Sequence, residues 1–112
     1  MTRDAGDRLL DIVAAAEAID RHRQRGELSD GLVFDAVRAR LMEIGEAVKD
    51  LDPELLARRP EIPWRQIAGM RDQLAHRYFD TSHAIVANTV AHDLPALLGA
   101  VQALLDGLPE ES

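Results

Sequence analysis

Apolar residues recur three and four positions apart along most of this chain, and that spacing limits its fold more than any other feature. It places about one apolar side chain per turn on the same face of an α-helix. The clearest run comprises Val33, Val37, Leu41, Ile44, Val48 and Leu51. No segment alternates apolar and polar residues with period two for long enough to predict a strand. We therefore expect an all-α fold.

Two long helices are predicted in the N-terminal half. The first covers about residues 3–24 and stops at Gly26. The second follows Ser29 and Asp30, either of which can cap it. Gly45 lies inside this second helix, where glycine costs about 1 kcal/mol relative to alanine. Its presence there predicts close packing against another backbone.

Three further helical segments are predicted in the C-terminal half. Asp52-Pro53 is typical of a cap followed by proline at the start of a short helix. A third long helix is expected over residues 64–78, and a fourth beyond it with a bend or split at Pro95, because proline removes a backbone donor. Together these segments predict an antiparallel four-helix bundle with one additional short helix. It forms a single domain over residues 1–108, followed by the short acidic tail 109–112.

The composition favours a small cytoplasmic protein. The chain has 112 residues, of which 46% are hydrophobic, and no cysteine. This is enough for one core, and it excludes a disulfide framework or a thiolate zinc site. No apolar run approaches the roughly 20 residues that span a bilayer, so we expect no membrane partner. The formal net charge of -7 argues against binding nucleic acid by bulk electrostatics, so any RNA site must be local.

The four histidines could suggest a metal site, but their spacing does not favour one. His76 and His83 could share a helix face, yet the paired ligand spacing of a zinc-binding helix is missing. His22 and His92 are expected at the surface. We therefore expect no metal and no other cofactor.

A charged residue interrupts the apolar stripe of the third long helix. The inward positions of that helix would be 64, 67, 71, 74 and 78. Position 71 is arginine, which is rarely buried without a partner. Either Arg71 reaches outward, or it pairs with an acidic side chain of a neighbouring helix such as Glu43 or Glu46.

Asp72 and His76 lie four residues apart, next to this arginine. In a continuous helix they share a face, so the carboxylate could orient the imidazole and fix its tautomer. Arg71 and His76 are five apart, about 140° around an ideal helix, and would not be adjacent unless the helix is irregular. Gly69 makes such an irregularity possible.

Three segments together resemble the HepT toxins, a branch of the HEPN ribonuclease superfamily. The pattern of arginine, four residues, histidine, one residue and tyrosine at Arg71, His76 and Tyr78 looks like the signature of these toxins. Residues 41–47, with the sequence LMEIGEA, are similar to the family's Ile-Gly-Glu segment, and residues 62–71, IPWRQIAGMR, to the stretch before its catalytic arginine. The chain departs from many relatives after the arginine, where Asp72 replaces a frequent asparagine.

This resemblance implies a toxin that cuts RNA in the cleft of a homodimer. RNA carries its own nucleophile, the 2′-hydroxyl, so cleavage needs only a proton-transfer group and a cation beside the phosphate. His76 and Arg71 are such groups, with Asp72 orienting the imidazole and Glu46 as a supporting residue. The resemblance also implies that a partner antitoxin, a minimal nucleotidyltransferase, transfers AMP from ATP to Tyr78 and so blocks the cleft.

Two other classes of function stay open. One is a catalytically silent HEPN-like module that dimerises and docks a nucleotidyltransferase without cutting RNA. The other is an antitoxin-like or purely structural dimer, which is supported only by the apolar stripes. The presence of both Arg71 and His76 favours the nuclease.

Overall fold

The computed structural model describes residues 4–76 and 79–108, and only the backbone at His76 and residues 79–82. All regular secondary structure in this part of the chain is helical, which confirms the all-α prediction. The helices are α1 (Ala5–Arg25), α2 (Gly31–Lys49), α3 (Pro53–Leu56), α4 (Trp64–Ala68), α5 (Met70–His76), α6 (Phe79–Asn88) and α7 (Leu94–Asp106), with a π-helical segment at Thr89–Asp93.

Aspartate side chains cap the first three helices. The carboxylate of Asp4 accepts from the backbone N–H of Asp7 at 2.8 Å, and Asp30 accepts from Leu32 at 2.9 Å. Asp52 accepts from the N–H of Glu54 at 2.9 Å, with proline in the first turn of α3. Such caps satisfy backbone donors that have no partner within the helix. The sequence-based caps at positions 30 and 52 are confirmed.

The long helices form a bundle around one apolar core. α1 packs against α2 and α7, while the other side of α2 packs against α4 and α5. The most deeply buried side chains come from every long helix and include Leu9, Ile12, Ile19, Val37, Leu41, Ile44, Val48, Leu74, Val86 and Val101. α2 is therefore the central element, and it carries α4 and α5 on its outer face.

The predicted third long helix is interrupted. α4 and α5 meet at Gly69, which belongs to neither helix, so the expectation of one continuous helix from position 64 was wrong. The inward position is also different, since Met70 is only 4% exposed and Arg71 is exposed. Met70 lies three residues after Ile67 and four before Leu74, which is the spacing of one helix face. Arg71 consequently lies beside the buried stripe, and not within it.

The last helical run is divided just before Pro95, as the sequence predicted. The N–H of Leu94 donates to the carbonyl of Thr89, a bond across five residues that marks a π turn. Proline cannot donate to the carbonyl four residues earlier, and in an α-helix its ring clashes with that group. The wider turn accommodates the ring without ending the helix.

Within the described residues, one helical run, His83–Asp106, is long and apolar enough by length and composition to cross a membrane, with a mean hydropathy of 1.4 over an 18-residue stretch. The expectation that no run approaches this length was therefore wrong. A core helix passes the same test, and Val86, Val90, Leu97 and Val101 of this run belong to the bundle core. The core explains the apolar character of one face of the run.

Candidate active site

A glycine allows α2 to approach the backbone of α4 and α5. A Cβ atom on Gly45 would lie 2.9 Å from the carbonyl oxygen of Ile67 and 3.4 Å from the backbone nitrogen of Arg71. Real Cβ atoms essentially never come as close as the first of these distances, so only glycine fits without displacing the backbone. The close approach predicted from the sequence is confirmed, and it fixes where α5 begins relative to α2.

The crossing at Gly45 brings the next residue of α2 against the first turn of α5. Oε2 of Glu46 lies 3.4 Å from Nε of Arg71, and the two side chains are 50% and 55% exposed. Glu43, the other predicted partner, pairs instead with Arg40 at 3.0 Å. Arg71 therefore both reaches outward and pairs with an acid, and Glu46 restrains its guanidinium without covering it.

Arg71 lines an open depression of about 230 Å³ between α2 and α5. Glu46 and Lys49 of α2 form one side, and Arg71 with Asp72 forms the other. The floor is formed by Ala68 and Gly69. We call this the Arg71 depression. It holds two cations and two carboxylates on an open surface, and the small side chains of its floor leave room for a ligand.

Arg38 of α2 contacts α5 at a second point, the carbonyl group of Leu74. Its Nε and Nη2 donate to the carbonyl oxygen of Leu74 at 3.2 and 2.7 Å, and the side chain is partly buried. This carbonyl therefore accepts two hydrogen bonds from one side chain of α2. A charged, two-pronged donor is a strong partner for it. α2 therefore holds α5 at two points, through Gly45 and through Arg38.

The remaining motif residues lie at or beyond the edge of what the structure describes. His76 is the last residue of α5, four positions after Asp72, and its side chain lies outside the described part. Tyr78 lies outside the described residues altogether. The contact between Asp72 and the imidazole, the catalytic role of His76 and the modification of Tyr78 therefore stay predictions.

Comparison with known proteins identifies the family. The family model "Ribonuclease HepT-like" matches residues 9–104, nearly the whole chain. The chain belongs to the HepT-like family. It is 38% identical to "Probable ribonuclease HepT" of Thermococcus cleftensis over 93% of this chain and 98% of that protein. It is also 38% identical, over 74% of this chain and 79% of the relative, to a protein of Caldanaerobacter subterraneus subsp. tengcongensis that is named as a candidate RNase. No solved structure matches the chain.

His83 has a packing role in this HepT-like chain. Its ring stacks on Phe34, with ring centroids 5.4 Å apart and planes 10° from parallel, and its Nε2 lies 3.2 Å from the carbonyl oxygen of Leu28. These contacts join α6 to the start of α2. Among the described side chains, no three of the metal-binding types are grouped to hold an ion.

Two cations of α2 beside α5, Arg38 and Lys49, were not predicted from the sequence. With Met42 and Gly45 they recur at intervals of four, three and four residues along α2. This is the spacing of a second helix face, adjacent to the apolar one. This face carries an arginine, a glycine and a lysine, so its hydropathy is not that of a packing face. Apolar periodicity therefore does not reveal it.

Proposed function

We propose that this HepT-like protein is the toxin of a toxin–antitoxin pair, a metal-independent endoribonuclease that acts in the cytoplasm as a homodimer. The observation that carries the proposal is the state of Arg71. Its guanidinium is held 3.4 Å from a carboxylate but stays more than half exposed, on a depression that also contains Lys49. An oriented and accessible guanidinium suits the binding of a phosphate, which it can contact in a bidentate manner.

The proposed reaction uses the 2′-hydroxyl of RNA as nucleophile. His76 takes the proton of this hydroxyl, the 2′-oxygen forms a bond to phosphorus, and the bond from phosphorus to the 5′-oxygen breaks. A proton then passes to the departing 5′-oxygen. The products are a 2′,3′-cyclic phosphate and a 5′-hydroxyl, so water is not consumed in this step. Arg71 stabilises the negative charge that builds up on the pentacoordinate phosphorus.

A homodimer answers the geometric difficulty of the motif. Arg71 and His76 are about 140° apart around an ideal helix and so do not face one point. Two copies of α5 that face each other across a cleft could present the arginine of one and the histidine of the other to the same phosphate. Paired clefts would also make the site locally positive on a chain with net charge -7.

Control by the antitoxin would act through Tyr78. The tyrosine oxygen attacks the α-phosphorus of ATP, AMP is transferred and pyrophosphate leaves. The added phosphate places negative charge near the arginines and repels RNA. Incubation with the cognate nucleotidyltransferase and ATP should raise the mass of the wild type by adenylate units and leave Tyr78→Phe unchanged. An unaltered wild-type mass would count against this part.

Cleavage is tested with the purified full chain, a labelled RNA and excess chelator. We expect fragments with cyclic phosphate and 5′-hydroxyl ends, and a loss of about 100-fold or more in rate for Arg71→Ala and His76→Ala, as for other groups acting on the transition state. Arg58→Ala and His92→Ala change exposed residues outside the Arg71 depression and serve as matched controls. Cleavage that survives Arg71→Ala, or that needs a divalent ion, would overturn the mechanism.

The silent binding module is the competing function, and expression separates the two. In cells without the neighbouring nucleotidyltransferase, a nuclease should be toxic and His76→Ala should relieve the toxicity. Harmless expression of the wild type, together with stable binding of the antitoxin, would favour the module.

A further inference from the structure

A second depression flanks α4 and α5 on the side away from α2. It measures about 210 Å³ and lies between these helices and the π-helical segment. Its floor includes the apolar side chains of Ile67, Met70 and Ile85. Its rim is polar and is formed by Gln66, Gln73, Thr89 and Asp93. We call it the glutamine pocket.

Within the part of the chain that the structure describes, the polar side chains of the glutamine pocket have no side-chain partner. No side-chain hydrogen bond or ion pair within the described part of the chain involves Gln66, Gln73, Thr89 or Asp93. Thr89 is also the one buried polar residue, 8% exposed, among the side chains that the structure describes. A hydroxyl, two amides and a carboxylate around an apolar floor are what a small polar ring needs.

The π-helical segment helps to build this pocket. Thr89 and Asp93 are its first and last residues, and both line the pocket. Thr89 and Asp93 are four residues apart, so they lie on one side of the helix and face the pocket together. Such segments are uncommon and occur frequently at functional sites. Pro95 explains why a wide turn forms here, and the pocket uses the resulting arrangement.

We propose that the glutamine pocket binds one base of the RNA strand that lies in the cleft, and that it selects bases with an exocyclic amino group. Met70 and Gln73 line the pocket, and Arg71 and Asp72 line the Arg71 depression. At about 100° per residue these two pairs lie on opposite sides of α5. A helix is about 10–12 Å across with its side chains, which a short stretch of single strand can cover. The choice of RNA as ligand rests on the function proposed above.

The chemistry of the rim sets the selectivity. The carboxylate of Asp93 accepts hydrogen bonds only, so it matches the amino group of cytosine, adenine or guanine, as carboxylates do when they read cytosine. Uracil presents a carbonyl oxygen at the position where cytosine has its amino group, and a carboxylate repels it. The glutamine amides can donate and accept, so they tolerate either ring. The sulfur of Met70 and the floor as a whole suit contact with the face of an aromatic ring.

The pocket is tested by titrating the isotope-labelled full chain with 3′-CMP and 3′-UMP, following side-chain amide signals by NMR. The chain has four glutamines, so Gln24 and Gln102 provide internal controls in the same spectrum. We expect saturable shifts of the Gln66 and Gln73 signals, with cytidylate bound at least about fivefold more tightly than uridylate, as one base-specific contact gives. Asp93→Asn should reduce this preference to less than twofold, and Asp106→Asn should leave it unchanged.

A second measurement connects the pocket with cleavage. Cut sites mapped in an RNA of random sequence should avoid uracil at one fixed position next to the cleaved bond, and Asp93→Asn should admit uracil there. Unmoved Gln66 and Gln73 signals would overturn the base pocket whether or not the chain cuts RNA. Signals that respond only to protein concentration would do the same, because they would assign the pocket to a contact between copies. Shifts with nucleotides in a chain that cuts no RNA would support the pocket and overturn the nuclease.

Discussion

The α1–α2 hairpin and the α4–α5 segment differ in what makes them helical. α1 and α2 have 21 and 19 residues, aspartate caps and long apolar stripes. α4 has 5 residues, and its N-cap position has no side-chain hydrogen bond. Isolated helices this short are unstable in water, since nucleation is costly. The helical structure of the hairpin follows largely from its own sequence, whereas α4 and the start of α5 depend on their contact with α2.

This difference separates stability from function within one small domain. The residues proposed for catalysis lie on the segment with the weaker local propensity, and α2 holds that segment at two points, Gly45 and Arg38. Segments with few contacts of their own open more readily than the core. Hydrogen exchange should accordingly be faster in α4 and α5 than in α1 and α2. The substitutions below test that comparison, in order of decreasing effect on stability.

The largest effect is expected at the crossing of α2 with α4. Gly45→Ala adds a Cβ 2.9 Å from a backbone oxygen, which cannot yield as a flexible side chain can. It should destabilise the protein by about 1–3 kcal/mol and displace α5. Gly99→Ala, in α7 with no atom within 4 Å, should instead stabilise it by roughly 0.5–1 kcal/mol. Urea unfolding followed by circular dichroism, at one protein concentration, measures both. Equal effects at the two glycines would contradict the close approach.

The second-largest effect on stability is expected at the contact between Arg38 and the carbonyl of Leu74. Arg38→Met keeps an unbranched apolar stem and removes both bonds to the carbonyl of Leu74, which should cost about 1–2 kcal/mol. Hydrogen exchange should become faster around Leu74 in α5, and it should increase less in α1. Arg40→Met is the matched control, because its pair with Glu43 is exposed and contributes little. If the two variants are equally stable, Arg38 does not anchor α5.

Much of the fold could be predicted from the sequence, because it depends on local patterns. The stripe from Val33 to Val48 and the caps at Asp30 and Asp52 act within a few residues of chain, and all are found in the structure. The break at Gly69 was harder to predict, since the backbone bonds from Gly69 to Arg65 and from Gln73 to Gly69 continue the helical pattern on both sides of it. The inward place of Met70 follows from that local geometry.

Less of the candidate site could be predicted. Arg71 was noticed because it was expected to interrupt the stripe, although Met70 takes that inward position. Glu46 was one of two acids expected to pair with it, and Glu43 was the other. Arg38 and Lys49 act across a contact between helices far apart in sequence, and nothing near them in the chain indicates it. The glutamine pocket likewise depends on a π turn, whose position the sequence indicates only through Pro95.

A smaller effect on stability is expected at the N-terminal cap of α2. Asp30→Ala removes the acceptor for the N–H groups of Leu32 and Val33, at 2.9 and 3.4 Å, and should cost about 1 kcal/mol. Asp35→Ala, at an exposed position within α2, should change the free energy of unfolding by less than about 0.5 kcal/mol. The cap acts on the α1–α2 hairpin alone. The rate of hydrogen exchange in α5, divided by the rate in α1, should therefore not increase. A selective loss of protection in α5 would show that the two regions are not separable.

The smallest effect on stability is expected at the pair that orients the site. Glu46→Gln breaks the contact with Arg71, but both side chains are about half exposed, so the free energy of unfolding should change by no more than about 0.5 kcal/mol. Cleavage should fall several-fold in kcat with little change in KM, because the guanidinium stays present but is no longer held for the transition state. Glu43→Gln breaks a pair of similar exposure with Arg40 and should leave both stability and cleavage unchanged. Equal rates for the two variants would mean that Glu46 only neighbours Arg71, and that the site is positioned by the backbone contacts at Gly45 and Arg38 alone.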